Sequence, residues 1–220
     1  MERLSVKNCL SFGWNSFTSK PWLFVQVTAI VILANIAISL VQSGYLTAGT
    51  YLLGSNSDIA VVFASVVGMG LSFLVSMGKT AFYLGAHDSI KDTSAQALWH
   101  PYPYLKFVAT SLLVGLVVVV GLILIIPGII AGVIFGFSLY IIIEENLNPI
   151  DAMRKSAQLT KGNRMQLFVL GLALIGINIL GILALLVGLL VSLPVSSLAI
   201  VHAYRTLSGK TEVPLKIAMS

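Results

Sequence analysis

Apolar residues in this chain run in long unbroken stretches instead of the three-to-four-residue rhythm of a helix half exposed to water. Four stretches, 21–57, 59–78, 107–143 and 165–204, contain no Asp, Glu, Lys or Arg. Each exceeds the roughly 18 residues that mark a transmembrane helix. The 107–143 stretch has 37 residues. As one helix it would be about 55 Å long, against a hydrocarbon core of about 30 Å. It must break, and Pro127-Gly128 is its Pro-Gly pair. Proline removes a backbone donor and disfavours helix at the residue before it, while glycine permits the positive φ of a tight turn. The spacing predicts helices over 105–126 and 129–146.

The 165–204 stretch needs the same division. Residues 121–130 align with 181–190 at an offset of 60, pairing Gly121 with Gly181 and Gly128 with Gly188. The second break is therefore expected near Gly188, with helices over 164–186 and 190–207. Adding spans at 21–43 and 59–84 gives six. A short segment of mixed character precedes each pair of spans. In the first, Val6, Leu10, Gly13, Trp14 and Phe17 recur at helical spacing beside Arg3 and Lys7. That pattern suits a helix lying in the membrane plane, with Trp14 and Trp22 at headgroup depth. In the third, Asn148-Pro149 reads as N-cap and first helical residue, Asp151 lies at the positive helix end, and Lys161-Gly162 closes the segment. Its apolar face is expected to be Ile150, Met153 and Ala157. The second, around 88–100, is ended by Pro101 and Pro103. The fold class expected is all-α membrane protein: three hairpins of transmembrane helices, each preceded by a short amphipathic in-plane helix. It forms one domain over 1–220, divisible into units 1–86, 87–147 and 148–207.

Composition agrees with an apolar solvent. The chain is 57% hydrophobic and 10% charged, where soluble domains run at about 45–50% and 25%. So few charges cannot cover a globular surface in water, which excludes a cytosolic enzyme. The net charge of +5 is informative by position. All thirteen basic residues lie before the first span, in or beside the facing ends of the second and third and of the fourth and fifth, or at and after the end of the last. The other connections contain none. By the positive-inside rule both termini and the basic connections are cytoplasmic, in a multi-pass inner-membrane protein. The first apolar stretch is too long for a signal-peptide core and lacks a small-residue cleavage site. The single cysteine, Cys9, excludes an intramolecular disulfide framework.

Several motifs resemble those of the YciC-like proteins, a large family of uncharacterised prokaryotic membrane proteins. They are Leu10-Ser11-Phe12-Gly13-Trp14, Ile126-Pro127-Gly128-Ile129-Ile130, Asn148-Pro149-Ile150-Asp151-Ala152, residues 156–163 with Lys161-Gly162-Asn163, and Leu193-Pro194-Val195 through Tyr204-Arg205. The family is related to the membrane domain fused to some glycerophosphoryl diester phosphodiesterases. The resemblance implies a six-helix inner-membrane protein and brings no catalytic residues.

Three constellations bear on function. Gly128, Gly132 and Gly136 repeat every four residues, and such a stripe lets helix backbones approach closely. It is read as helix packing within the chain, with association of two copies as the alternative. Thr28, Asn35, Ser39 and Gln42 share one face of the first span, and Asn178 is a further mid-span amide. Their ordinary role is hydrogen bonding between helices; a polar path for cargo is the alternative. Arg3, Lys7, Arg154 and Lys155 lie on the in-plane segments, where each cation near anionic lipid contributes about 1 kcal/mol. No mid-span carboxylate is present for a proton relay. The acid-base groups His87, Glu144 and Glu145 fall near the inner face without a recognised ligand or catalytic spacing. No cofactor, metal site or nucleic-acid partner is expected. The sequence reads as a non-enzymatic membrane protein that organises, senses or scaffolds the inner leaflet, with anionic lipids, a further copy or a membrane protein as partners. A transporter or channel is the alternative, and a lipid-modifying enzyme a third.

Overall fold

The computed structural model describes residues 4–52, 58–89, 98, 103–123, 125–184 and 187–210, with backbone alone at 45–52 and 58–61. Among the described residues every regular element is helical: α1 (Val6–Ser19), α2 (Pro21–Leu52), α3 (Asp58–Asp88), α4 (Tyr104–Leu122), α5 (Ile126–Phe135), α6 (Ser138–Glu145), α7 (Pro149–Leu159), α8 (Arg164–Leu183) and α9 (Leu189–Leu207). Six segments are long and apolar enough to cross a bilayer: Pro21–Gly44, Val62–Asp88, Tyr104–Leu122, Ile126–Glu145, Arg164–Leu183 and Leu189–Leu207. The count of six and the approximate bounds agree with the lengths of the apolar stretches.

The expected Pro-Gly turn is displaced. Helix α4 stops at Leu122 and α5 begins at Ile126, so Pro127 lies in the first turn of α5. There its missing N–H costs nothing, because that donor has no partner within the helix. The positive φ falls on Ile125 at 56°, a costly conformation for a β-branched residue. Gly128 is thus used for close approach and not for turn geometry. A Cβ on Gly121 would lie 2.7 Å from the Gly128 Cα, and one on Gly188 would lie 2.8 Å from the Gly181 Cα. The repeat at an offset of 60 is therefore a repeat of structure: each pair of glycines brings the end of one helix against the start of the next.

The fourth candidate span is broken a second time, where α5 ends at Phe135 and α6 starts at Ser138. Ser156 of α7 fills this break. Its hydroxyl donates to the Ile134 carbonyl at 2.7 Å and accepts from the Phe137 N–H at 3.3 Å. Backbone groups freed within hydrocarbon must be satisfied by protein, and Ser156, with no exposed surface, does this.

Burial follows the logic of an apolar solvent. Of the six candidate spans, α9 is the least hydropathic and the most buried. It carries Ser192, Pro194, Ser196, Tyr204 and Arg205, all buried, while exposed Leu, Ile and Val crowd the outer faces of α2, α4 and α8. Lipid solvates aliphatic side chains as well as a protein core does, so polar groups gather inside. One end of the core, beside the C-terminal ends of α3 and α9, is aromatic. Phe24 stacks parallel to Tyr83 at 6.2 Å and meets Phe82 edge-on at 6.0 Å. Tyr204 lies 5.6 Å from both Phe137 and Tyr140.

Helix α1 lies across the middle of α9. A Cβ on Gly13 would sit 2.5 Å from the Val195 carbonyl oxygen, so a larger residue would force the two helices apart. The α1 residues buried are Cys9, Gly13, Ser16 and Phe17; Trp14 and Trp22 are exposed. Helix α7 turns a different face inward from its expected apolar one. Ala152 and Ser156 are buried, whereas Ile150 is 61% exposed. The need to satisfy the α5–α6 break outweighs burial of Ile150, which costs little to leave facing lipid. Asn148 precedes α7 with extended backbone but makes no side-chain cap bond. Of the expected helix around 88–100, Asp88 belongs to the end of α3, Ser89 and Leu98 are described, and the rest lies outside the described residues; the Leu98 carbonyl approaches Gly78.

Candidate functional site

The C-terminal ends of α3, α6 and α9 converge, bringing Asp88, Glu144, Glu145 and Arg205 together. Asn146 ends α6 in the left-handed region at φ 51°, directly after the two glutamates. A carboxylate at a helix C-terminus faces the negative end of the helix dipole, so these acids need cations. Arg205, 6% exposed, donates to Glu144 through Nη1 and to Asp88 through Nη2. Lys210 lies 2.9 Å from Glu144 and 3.5 Å from Glu145. Lys155 of α7 donates to Glu145 at 2.7 Å. The Tyr204 hydroxyl also donates to Glu144, and Lys106 donates to the Asn146 carbonyl at 2.7 Å. Asp88, Glu144 and Glu145 are thus matched by Arg205, Lys210 and Lys155, leaving the network without net charge. The forked guanidinium suits this position because it can hold two carboxylates at once.

Beside the network, His87 Nε2 and His202 Nδ1 are 3.2 Å apart. Phe12 of α1 stacks on His202 at 4.2 Å and tilts against His87 at 4.7 Å. His87 Nδ1 lies 3.5 Å from Asp88. Among the described residues, no three His, Cys, Asp or Glu side chains are placed to hold a metal ion. The arrangement can lock three helix ends and α1 to one another. Its acids are engaged by cations.

The residues singled out in the sequence meet different fates. Thr28 is buried and its hydroxyl donates to Phe24 O at 2.8 Å, with Tyr83 Oη 3.4 Å away. Asn35 is exposed and donates to Val31 O of its own helix at 2.8 Å; Ser39 is exposed. Gln42 packs on Gly68 of α3. Asn178 forms a separate cluster, donating to Ser196 Oγ at 3.1 Å and accepting from Ser192 Oγ at 2.9 Å. The structure does not bring these five together. Of the glycine stripe, Gly128 abuts Leu122 of α4, a Cβ on Gly132 would meet nothing within 4 Å, and one on Gly136 would meet the backbone of its own chain segment. Gly132 and Gly136 instead line a 380 Å³ groove with Tyr140, Leu167 and Gly171. Among the basic residues, Lys155 is paired, whereas Lys7 and Arg154 are exposed. Arg3 lies outside the described residues.

Three structural residues were not signalled by spacing. The Asn163 side chain accepts from the Leu4 N–H at 3.0 Å, anchoring the start of α1 to the start of α8. Gly162 before it has φ 88°, the left-handed closure expected after Lys161. Ser156 was visible only within a motif, with nothing local to mark it as the plug of a break 20 residues upstream. Arg205 was read as a basic residue after the last span. Its burial between two acids from distant helices is a property of the packing.

Residues 104–211 match the family described as "Protein of unknown function (DUF975)". An uncharacterized protein of Mycobacterium bovis is 26% identical over 224 aligned residues, covering 93% of this chain and 69% of its own length. An uncharacterized protein of Mycobacterium tuberculosis is 25% identical, with the same coverage of each chain. No solved structure matches. Over 93% of its length the chain is similar to these mycobacterial proteins, and over residues 104–211 it is similar to the DUF975 family.

Proposed function

We propose that this is a multi-pass protein of a prokaryotic cytoplasmic membrane that interacts with anionic lipid at the inner leaflet and carries out no chemistry of its own. The six spans would form three hairpins with both termini inside, and α1 and α7 would lie near the inner membrane plane. The observation that carries the reading is a division among the cations. Lys155, Arg205 and Lys210 are taken up by carboxylates, while Lys7 of α1 and Arg154 of α7 are exposed and pair with no described acid. Cations held beside a bilayer attract anionic headgroups. The acid-base groups of an enzyme reading, Glu144, Glu145 and His87, are held in the neutral network and its imidazole pair. The relation to the phosphodiesterase-associated membrane domain, carried by the motif resemblance, fits a role beside lipid.

The test is lipid retention. Protein released in mild detergent should keep phosphatidylglycerol in preference to phosphatidylcholine by native mass spectrometry, and Arg154→Gln should weaken the preference. Equal retention of both lipids by the wild type would end this reading. In a Cys9→Ala background, a cysteine at position 55 should be labelled from outside the cell. One at position 161 should be labelled only after the inner face is opened.

A further inference from the structure

An open groove of 840 Å³ lies between α1 and the adjoining parts of α8 and α9. Its base is one face of α1, with Lys7, Ser11 and Trp14. Its wall rises along Leu180, Ala184 and Val191 towards the turn closed by Gly181 and Gly188. The wall is aliphatic. Among the described residues Lys7 is the only charged one lining the groove, and it makes no ion pair with a described carboxylate. The groove opens beside the exposed Leu180 and Leu183 of α8, so its surroundings are hydrocarbon.

We propose that this groove is a binding site for one anionic glycerophospholipid, an acyl chain lying along α8 and α9 and the phosphate held by Lys7. This rests on the lipid-interacting reading above and makes it specific to one place. Charge complementarity selects the occupant. A purely apolar helix would leave Lys7 without a counter-charge, and a soluble anion would leave the aliphatic wall unfilled. A phospholipid satisfies both with one molecule. The indole N–H of Trp14 and the Ser11 hydroxyl lie on the same face of α1 as Lys7, where glycerol and phosphate oxygens would accept from them.

Trp14 provides the probe. The chain has three tryptophans, and Trp22→Phe with Trp99→Phe leaves Trp14 alone. In vesicles at equal mole fraction, lipid brominated on its acyl chains should quench Trp14 more as phosphatidylglycerol than as phosphatidylcholine. Lys7→Gln should lower that ratio about fivefold, the factor for one cation near an anionic surface. Ala184→Leu, which fills the wall, should reduce quenching by both lipids, and Lys161→Gln should leave the ratio unchanged. A native-like thermal transition confirms folding of each variant. If the whole protein prefers anionic lipid yet Lys7→Gln leaves the Trp14 ratio unaltered, the groove assignment is wrong while the broader reading stands. If the whole protein shows no preference, both fall.

Discussion

Ser156 accepts a hydrogen bond from the backbone N–H of Phe137, across 19 residues and from a different helix. The same hydroxyl donates to Ile134 O at 2.7 Å, so one side chain satisfies both sides of the break between α5 and α6. Ser156→Ala should leave these backbone groups unpaired in an apolar setting and cost about 1–3 kcal/mol. Unfolding in mixed detergent micelles reads this directly. A stability equal to wild type would mean that the break is satisfied in some other way.

The network at the helix ends predicts a contrast between two cations. Arg205 is buried and holds Glu144 and Asp88, so Arg205→Leu takes the cation from Asp88 and one of two from Glu144, which keeps Lys210, and should cost about 3 kcal/mol. Lys155 is 39% exposed in its pair with Glu145, and exposed pairs contribute less than about 1 kcal/mol. Lys155→Ala should therefore be nearly silent in the same assay. Equal losses from the two would contradict the division between buried and exposed pairs.

Two glycines of different helices should respond in opposite ways. Gly188 has the Gly181 Cα where its Cβ would sit, at 2.8 Å, whereas Gly132 faces open space. Gly188→Ala must push two backbones apart, with a loss on the order of 1–3 kcal/mol. Gly132→Ala should be neutral, or more stable by up to about 1 kcal/mol, since alanine restricts the chain less favourable conformations. Paired unfolding curves distinguish the two.

Cys9 supplies a pH-dependent signal outside the spans. Burial pushes its thiol up to about 11 from an ordinary value of 9.0, against a smaller lowering by a backbone hydrogen bond. The folded protein holds the neutral thiol in preference to the thiolate. The resulting stabilisation is fully present below about pH 9 and is lost as pH rises through about 11. Maleimide should label Cys9 slowly in folded protein at neutral pH and quickly after unfolding in strong detergent. Rapid labelling of the native state at pH 7 would show that the α1–α9 contact is open.

Part of this was legible before any coordinates. Six spans followed from stretch lengths and the thickness of a bilayer, and the repeat pairing Gly121 with Gly181 located both outer breaks to within a few residues. Spacing put Ile150, Met153 and Ala157 on one apolar face of α7 but did not mark Ser156 on the buried one. In lipid an isoleucine gains little by turning inward, while Ser156 gains a great deal. Helical spacing put Thr28, Asn35, Ser39 and Gln42 on one face of the first span, with Asn178 as a further mid-span amide. In the structure Thr28 turns into the core, Asn35 and Ser39 face outward, and Asn178 bonds to Ser192 and Ser196.

The amino-acid order by itself determined the solvent, the number of crossings and the segregation of basic residues into alternate connections. These depend on composition over windows of about 20 residues, a scale at which each helix partitions into lipid independently. Tertiary packing alone decided which cations are consumed and which stay exposed, and where a groove remains. It paired Arg205 with acids 117 and 61 residues distant, set α1 against α9, and left Lys7 at the edge of an aliphatic slot. Between lipid-soluble helices hydrophobicity supplies no preference for one neighbour over another. The arrangement rests on close glycine contacts, a few buried hydroxyls and one shared guanidinium, whose partners are fixed only once the helices meet.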